Sequence, residues 1–279
     1  MIVTNEFVML NLPKTGSTFA RQVLKSLYKT RYNKLPFAKK MAIKLKINKP
    51  LLQEFILPNI RIKKVKRRRD QHGTYQQIPA KYKQREIFSI VRNPYERLLS
   101  VYEYKEWVKN PPISRELIAQ FFPRFPKLSL DEFIEMSRMI VEQELESKSK
   151  RVRIGPQSLQ FIYMYFKNPD EVLRTITDDY INSDKYLEDI ADITFLRQEH
   201  LGEDMKSFLK PYGFNPDELR IIDELGIVNE TRNKSVKRNA LFTSDAIEYI
   251  NTEERFVLKI LREKGIEYVC PKINHLEIL

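Results

Sequence analysis

The residues KTGST at positions 14–18 combine a lysine, a glycine and three hydroxyl side chains. These residue types suit phosphate or sulfate. Lys14 brings a positive charge, the hydroxyls donate hydrogen bonds, and Gly16 lets backbone N–H groups approach an anion closely. If a helix begins after Gly16, its free N–H groups and positive dipole end add to the attraction. The pattern therefore predicts an anion-binding loop.

The flanking residues predict the elements that must position this loop. Residues 6–11 form a short apolar run typical of a buried strand, which Pro13 ends. One face of an amphipathic helix follows, with apolar residues at Phe19, Val23, Leu24, Leu27 and Tyr28. The loop is not a Walker A motif, because its lysine precedes the glycine instead of standing directly before the helix-opening Ser or Thr. An ordinary strand-to-helix turn remains an alternative.

A second strand–loop–helix unit is predicted within residues 86–110. Residues 87–91 are an apolar run. Asn93 suits an N-cap, Pro94 the first helical position and Glu96 a capping box, so we expect a helix that ends near Asn110.

Arg92 follows this second strand directly, and Ser100 lies eight residues later, about two helical turns along. A phosphate beside the helix could contact both side chains. Ligands of open α/β sheets bind at the carboxyl ends of the strands, where both units place anion-binding groups. The alternative for Arg92 is pairing with a surface carboxylate.

These segments resemble a known family. Residues 13–19, PKTGSTF, resemble the 5′-phosphosulfate-binding loop of sulfotransferases, and residues 91–102, VRNPYERLLSVY, resemble their 3′-phosphate-binding segment. The second form is most similar to carbohydrate-type enzymes, including heparan sulfate 2-O-type and bacterial relatives. Residues 195–209 resemble a strand-then-helix segment of that group, and residues 228–250 resemble its C-terminal loop and helix.

The resemblance implies a fold and a donor. It implies a single sulfotransferase domain over residues 1–279, with a P-loop-kinase-like three-layer α/β fold in which helices flank a central parallel sheet. The implied donor is 3′-phosphoadenosine 5′-phosphosulfate (PAPS), with no metal. Lys14 would neutralise the leaving phosphate. The implied donor contacts are Lys14, Thr15, Gly16, Ser17, Thr18 and Phe19 for the 5′-phosphate, and Arg92, Ser100, Lys237 and Arg238 for the 3′-phosphate.

The acceptor hydroxyl must lose a proton, and histidine is the usual base near neutral pH. The chain has three histidines. Relatives carry a catalytic histidine in a place comparable to His72, so the resemblance implies His72 as the base. His200 lies in a helix-entry pattern and His275 near the end of the sequence, where we expect structural or solvated roles. Glu54 and Glu103 remain alternative bases.

Composition limits the class of protein and of partner. The net charge of +12 and the pI of about 9.5 favour anionic partners. We expect an acceptor glycan or another hydroxyl compound, including an acidic one, and no nucleic acid. Cys270 is the single cysteine, so no internal disulfide forms. With no apolar run of about 18 residues and no signal peptide, we expect a cytoplasmic protein without a membrane span.

Two basic runs remain to be placed. We interpret residues 61–69, RIKKVKRRR, as a solvated face; an acceptor groove for an acidic glycan and a membrane or nucleic-acid contact are the alternatives. Residues 34–49 form a basic amphipathic stretch. We interpret it as an exposed helix with an apolar core face; a lid and a membrane-surface helix are the alternatives.

Other functions remain open at this point. A tyrosine or small-molecule sulfotransferase would share the donor, although the sequence lacks the R-K-G signature of the cytosolic small-molecule enzymes. A P-loop nucleotide kinase is disfavoured by the missing G-K-[ST]. A non-catalytic polyanion-binding protein would show salt-dependent binding and no turnover.

Overall fold

The computed structural model describes residues 1–59, 69–111, 113–145, 152–226 and 242–271. The chain divides into two compact units. The first comprises residues 1–59, 69–91 and 192–230, and the second comprises residues 60–68, 92–191 and 231–279. The prediction of a single domain over residues 1–279 stays a prediction. In the described ranges, no helix has both the length and the apolar character needed to cross a bilayer.

The strands of the described residues are Ile2–Thr4 (β1), Phe7–Leu10 (β2), Leu52–Glu54 (β3), Leu57–Pro58 (β4), Arg69–Asp70 (β5), Glu86–Val91 (β6) and Thr194–Arg197 (β7). The helices are Ser17–Asn33 (α1), Phe37–Lys44 (α2), Pro94–Tyr104 (α3), Glu106–Lys109 (α4), Arg115–Phe121 (α5), Leu130–Leu145 (α6), Pro156–Tyr165 (α7), Pro169–Thr175 (α8), Asp178–Asn182 (α9), Tyr186–Asp189 (α10), Leu201–Leu209 (α11), Pro216–Gly226 (α12), Ser244–Glu253 (α13) and Arg255–Glu263 (α14).

The first unit contains a five-stranded sheet in the order β3-β1-β2-β6-β7. Strands β2, β6 and β7 are parallel neighbours, as the two strand–loop–helix patterns predicted. Strand β1 departs from the prediction of a parallel sheet, because it runs antiparallel to both β2 and β3. Only a short turn joins β1 to β2, and so short a connection requires antiparallel strands. The fold is therefore α/β with a mostly parallel central sheet, and helices flank it.

The core of the first unit lies between this sheet and its helices. Phe7 of β2 makes an edge-on contact with Phe88 of β6 and another with Phe208 of α11. Helix α1 buries Val23, Leu24, Leu27 and Tyr28, which confirms the predicted apolar stripe, although Phe19 is only partly buried. Burying such side chains is the main stabilising contribution, about 1.5–3 kcal/mol for each large aliphatic one.

Helix α2 does not have the apolar core face that the sequence predicted. None of its residues is buried. Phe37 is 79% exposed, Leu45 is 64% exposed and Ile47 is 74% exposed. The interpretation of residues 34–49 as an exposed helix with an apolar core face was therefore wrong in its core face, because Met41, Ala42 and Ile43 are only partly buried. The described residue of the other basic run, Arg69, donates to the carbonyl of Ile56, and residues 61–68 lie outside the described ranges.

The second unit is helical, and its local signals were readable in the sequence. Asn93 caps α3 by accepting from the N–H of Tyr95 at 3.0 Å. Ser129 and Glu132 form a capping box at the start of α6, since each side chain accepts from the other's backbone N–H. The helix expected to reach Asn110 is interrupted, because Lys105 adopts a left-handed conformation (φ 54°) between α3 and α4.

The buried carboxyl of Glu254 holds the start of α7. Its oxygens accept from the N–H of Gln157 at 2.8 Å, from the N–H of Ser158 at 2.6 Å and from the Ser158 hydroxyl at 2.8 Å. The Tyr249 hydroxyl donates to it at 3.2 Å. Burial raises the pKa of Glu254 to about 7, although all four donors favour the ionised form.

This raised pKa predicts a pH-dependent stability. Between the ordinary pKa of 4.5 and about 7, the folded chain keeps a proton on Glu254 that the unfolded chain loses. This group therefore contributes about 3 kcal/mol to the free energy of unfolding, fully present below pH 4.5. The contribution is lost as pH rises through about 7. Denaturant unfolding of the wild type and of Glu254→Gln measures this effect. The free energy of unfolding of the wild type minus that of the variant should fall by about 3 kcal/mol between pH 5 and pH 8.

The exposed Glu248 on α13, the helix that ends directly before Glu254, provides the matched control. Glu248→Gln should leave the pH profile of unfolding like that of the wild type. A difference between wild type and Glu254→Gln that stayed constant from pH 5 to pH 8 would contradict the assignment.

Candidate active site

The loop between β2 and α1 has the backbone of an anion-binding loop. Gly16, directly before α1, is left-handed (φ 82°), and Lys14 also has a positive φ of 66°. A Cβ on Gly16 would lie 3.1 Å from Gln198 and 3.3 Å from Leu201, so the position requires glycine on both grounds. A positive φ is unusual for lysine, and such strain concentrates at functional sites.

The first turn of α1 is not occupied by an anionic side chain of the protein itself. It contains no acidic residue, and no side chain caps it. The Ser17 side chain is buried, while Gly16 and Thr18 are exposed. The N–H of Phe19 donates to the carbonyl of Gly16 at 3.0 Å, so it serves the turn itself in this state. Thr15 is buried and donates to the carbonyl of Leu12 at 2.9 Å. Its hydroxyl therefore shapes the loop.

His72 is fixed against the start of the same loop. Its Nδ1 lies 2.7 Å from the carbonyl oxygen of Asn11, the residue that follows β2. A carbonyl only accepts, so Nδ1 carries the proton and Nε2 of the neutral ring keeps its lone pair. The backbone N–H of His72 donates to Asp70 at 2.7 Å. The structure thus brings His72 to the loop that carries Lys14, with Nε2 as a proton acceptor.

A polar cluster around Gln71 supports this histidine. The Gln71 carbonyl accepts from the Asn11 side chain at 3.0 Å, and its side-chain oxygen accepts from Arg21 of α1. The sequence reading missed Asn11, Arg21 and Gln71 as site residues. The available signal was the position of Arg21, which lies one helical turn after Ser17 on the helix that begins at the loop.

Gly73 completes the support on the far side of His72. A Cβ there would lie 2.7 Å from Met1 and 2.8 Å from Leu57. Because those distances are shorter than any ordinary contact, a larger residue at position 73 would require the Met1 and Leu57 side chains to shift.

The alternative bases have different surroundings. Glu54, at the end of β3, pairs with Arg21 through one oxygen and with Lys25 at 2.6 Å through the other. Both oxygens are therefore engaged by cations. Glu103 is exposed on α3. His200 is exposed and precedes α11, and His275 lies outside the described ranges.

In the second unit, Arg92 and Ser100 belong to the segment that Asn93 caps. The Arg92 side chain is 14% exposed and contacts Glu96 at 3.4 Å. Ser100 is buried on α3. The Arg92–Glu96 contact is the carboxylate pairing that the sequence left open as an alternative, but its length makes it a weak ion pair. Lys237 and Arg238 lie outside the described ranges.

A buried arginine that the sequence reading missed anchors this segment. Arg97 of α3 is 3% exposed and donates to Gln157 at 3.2 Å and to Gln160. The Gln157 side chain donates in turn to the carbonyl of Pro94 at 2.9 Å. The first turn of α7 therefore holds the first turn of α3, next to Arg92.

Among the residues that the structure describes, no three His, Cys, Asp or Glu side chains come together in a form that could hold a metal ion. The expectation of metal-free chemistry stays a prediction.

Comparison with known proteins assigns the chain to a family. A family model described as "Sulfotransferase family" matches residues 1–212 of the 279. The matched range includes the loop at Lys14, His72 and the segment from Arg92 to Ser100. It ends before Lys237 and Arg238. No curated protein and no solved structure matches the chain. The match confirms the resemblance stated from the two phosphate-binding segments, since this family includes the heparan sulfate 2-O type. The chain belongs to the sulfotransferase family and is a sulfotransferase.

Proposed function

We propose that this enzyme transfers the sulfuryl group of PAPS to a hydroxyl group of a carbohydrate, with His72 as the general base. One observation carries the proposal. The Asn11 carbonyl holds Nδ1 of His72 at 2.7 Å, which leaves Nε2 as the proton acceptor beside the anion-binding loop.

The loop fits the phosphosulfate end of the donor. The uncapped first turn of α1, the left-handed Gly16 and the absence of first-turn acidic residues favour an anion there. We assign the 5′-phosphate to the backbone from Thr15 to Phe19 and to the hydroxyls of Ser17 and Thr18. Lys14 would neutralise the phosphate oxygen that departs.

The second segment fits the remaining phosphate of the donor. We assign the 3′-phosphate to Arg92 and Ser100, because the Arg92 guanidinium can form charge-assisted hydrogen bonds with a phosphate in place of its 3.4 Å contact with Glu96. Lys237 and Arg238 complete this assignment on the resemblance alone. A 3′-phosphate would distinguish PAPS from ATP.

In the proposed reaction, the acceptor oxygen attacks sulfur as its proton passes to Nε2 of His72. The bond between sulfur and the bridging oxygen of the 5′-phosphate breaks, and its electron pair stays on the phosphate. Little covalent work falls to the protein, so positioning and charge stabilisation supply most of the acceleration.

We include a carbohydrate acceptor because the family contains the heparan sulfate 2-O type and because the net charge of +12 suits an acidic glycan. The single cysteine suits a reducing compartment, and we keep a cytoplasmic location within the proposal.

Thermal unfolding with the desulfated donor tests the donor assignment. At 100 times its dissociation constant, 3′,5′-adenosine bisphosphate should add about 2.7 kcal/mol. That amount corresponds to a rise in Tm on the order of 5–10 °C. AMP, which lacks the 3′-phosphate, should shift Tm less, and Mg-ATP should give no larger shift than AMP. Arg92→Ala should abolish the advantage of the bisphosphate over AMP.

Glu96→Gln is the matched control for Arg92→Ala, since it removes the observed ion pair and keeps the guanidinium. We expect it to retain the full shift. If both variants lost the shift equally, Arg92 would act only through its partner. A shift with Mg-ATP alone would overturn the donor assignment.

Transfer of labelled sulfate from PAPS tests the acceptor. We expect label to enter an acidic polysaccharide such as desulfated heparin. Transfer only to tyrosine peptides or to phenols would overturn the carbohydrate assignment and leave the donor assignment intact.

A further inference from the structure

Residues 36–49 present an apolar and basic surface that the rest of the described chain covers only in part. We call this the α2 surface and define it by the exposed side chains of Phe37, Leu45 and Ile47 and by the lysines between and after them. Phe37 is 79%, Leu45 64% and Ile47 74% exposed. Single exposed apolar residues are common, but a cluster within eleven residues marks a contact surface.

The spacing of the apolar residues supports a single contact. Phe37, Met41 and Leu45 recur every four residues, so they lie along one stripe of α2 and its C-cap. No residue of α2 is buried. Met41 in the middle of the stripe is partly buried, whereas Phe37 and Leu45 at its two ends are exposed and lack a core contact.

The charge of this segment has one sign. Residues 34–49 contain six lysines and neither aspartate nor glutamate. Within the described residues, Lys34 pairs with Glu218 at 3.5 Å and Lys40 donates to the carbonyl of Asn33 at 2.8 Å. Lys39, Lys44 and Lys46 are exposed, and among the described residues no carboxylate pairs with them. The partner must therefore be anionic.

We propose that the α2 surface docks the enzyme on an anionic lipid bilayer. A polyanionic glycan would engage the lysines but would gain nothing from Phe37, Leu45 and Ile47. A bilayer surface with acidic headgroups satisfies both sets, because apolar side chains enter the boundary with the acyl chains while lysines remain at the headgroups. An anionic bilayer is therefore the partner that fits the exposed apolar and basic side chains together. Docking is independent of the acceptor that the enzyme uses.

Vesicle sedimentation with the whole chain tests this proposal. We expect binding to phosphatidylcholine vesicles that contain about one third phosphatidylglycerol, and little binding to pure phosphatidylcholine. The double variant Phe37→Ala/Ile47→Ala should weaken binding at least tenfold, and Lys39→Gln/Lys44→Gln should weaken it about fivefold per lysine. Because all four side chains are exposed, the variants should keep the Tm of the wild type.

The chain offers matched controls outside the α2 surface. Phe121 is 53% exposed and Lys185 is also exposed, so Phe121→Ala and Lys185→Gln should leave vesicle binding unchanged. Retention on heparin–agarose tests contact with a polyanionic glycan instead of a bilayer. It should depend on the lysines and not on Phe37 or Ile47. Absence of binding to anionic vesicles, or binding that Phe37→Ala/Ile47→Ala does not weaken, would overturn the proposal.

Discussion

Replacing His72 with alanine is expected to lower turnover about 10²–10⁴-fold, the range for loss of a general base. The reason is the tautomer that the contact with Asn11 favours. The Asn11 carbonyl fixes the proton on Nδ1, so Nε2 is the atom that can take the proton of the acceptor hydroxyl. The measurement is the rate of sulfate transfer from PAPS in a single turnover, alongside the thermal shift with 3′,5′-adenosine bisphosphate. The shift should persist, because His72 has no assigned donor contact.

Two further variants make this result interpretable. His200 is exposed and lies in the same unit, so His200→Ala should keep the wild-type rate. Glu54→Gln should have a smaller effect than His72→Ala, because it acts through Arg21 and Gln71. If Glu54→Gln stopped turnover while His72→Ala retained it, the roles of base and support would be reversed.

The second large effect is expected at Lys14. Lys14→Met keeps the length of the side chain and removes its charge, and we expect turnover to fall about 10²–10³-fold, as for loss of one group that stabilises developing charge. Lys14→Arg should recover part of the rate. The same single-turnover assay reports both, and the bisphosphate shift should fall far less than the rate.

Lys46 is a matched control for Lys14, since it is also a lysine with a positive φ (60° against 66°) in the same unit. Lys46→Met should transfer sulfate at the wild-type rate in the absence of vesicles. Equal rates for Lys14→Met and Lys46→Met would remove Lys14 from the mechanism.

Local signals were sufficient for much of this fold. The apolar runs before Lys14 and Arg92 predicted β2 and β6, and caps such as Asn93 act within a few residues of themselves. Such interactions depend on neighbouring residues, so the order of residues reveals them. The antiparallel strand β1 was missed because three residues give too short a pattern to distinguish a strand from a chain end.

The supporting parts of the candidate site could not be predicted in this way. Asn11 and His72 are separated by 61 residues, and Arg97 and Gln157 by 60. No local periodicity encodes such contacts, which exist only once the tertiary fold has formed. The exposed face of α2 was misread for a related reason. An amphipathic pattern indicates that a face needs a partner, but it does not say whether the partner is the protein core or another surface.

The carboxyl of Glu254 at the start of α7 has a consequence for where the enzyme accepts phosphate. A tethered carboxylate competes with a dissolved anion at a very high effective concentration, so an occupied helix start rejects ligands. Glu254 fills this role at α7, and Glu132 fills it at α6. The first turn of α1 has no such internal competitor. In a chain with 49 basic residues, we therefore expect these carboxylates to exclude an incoming phosphate from α6 and α7 and to leave the loop at Lys14 open to it.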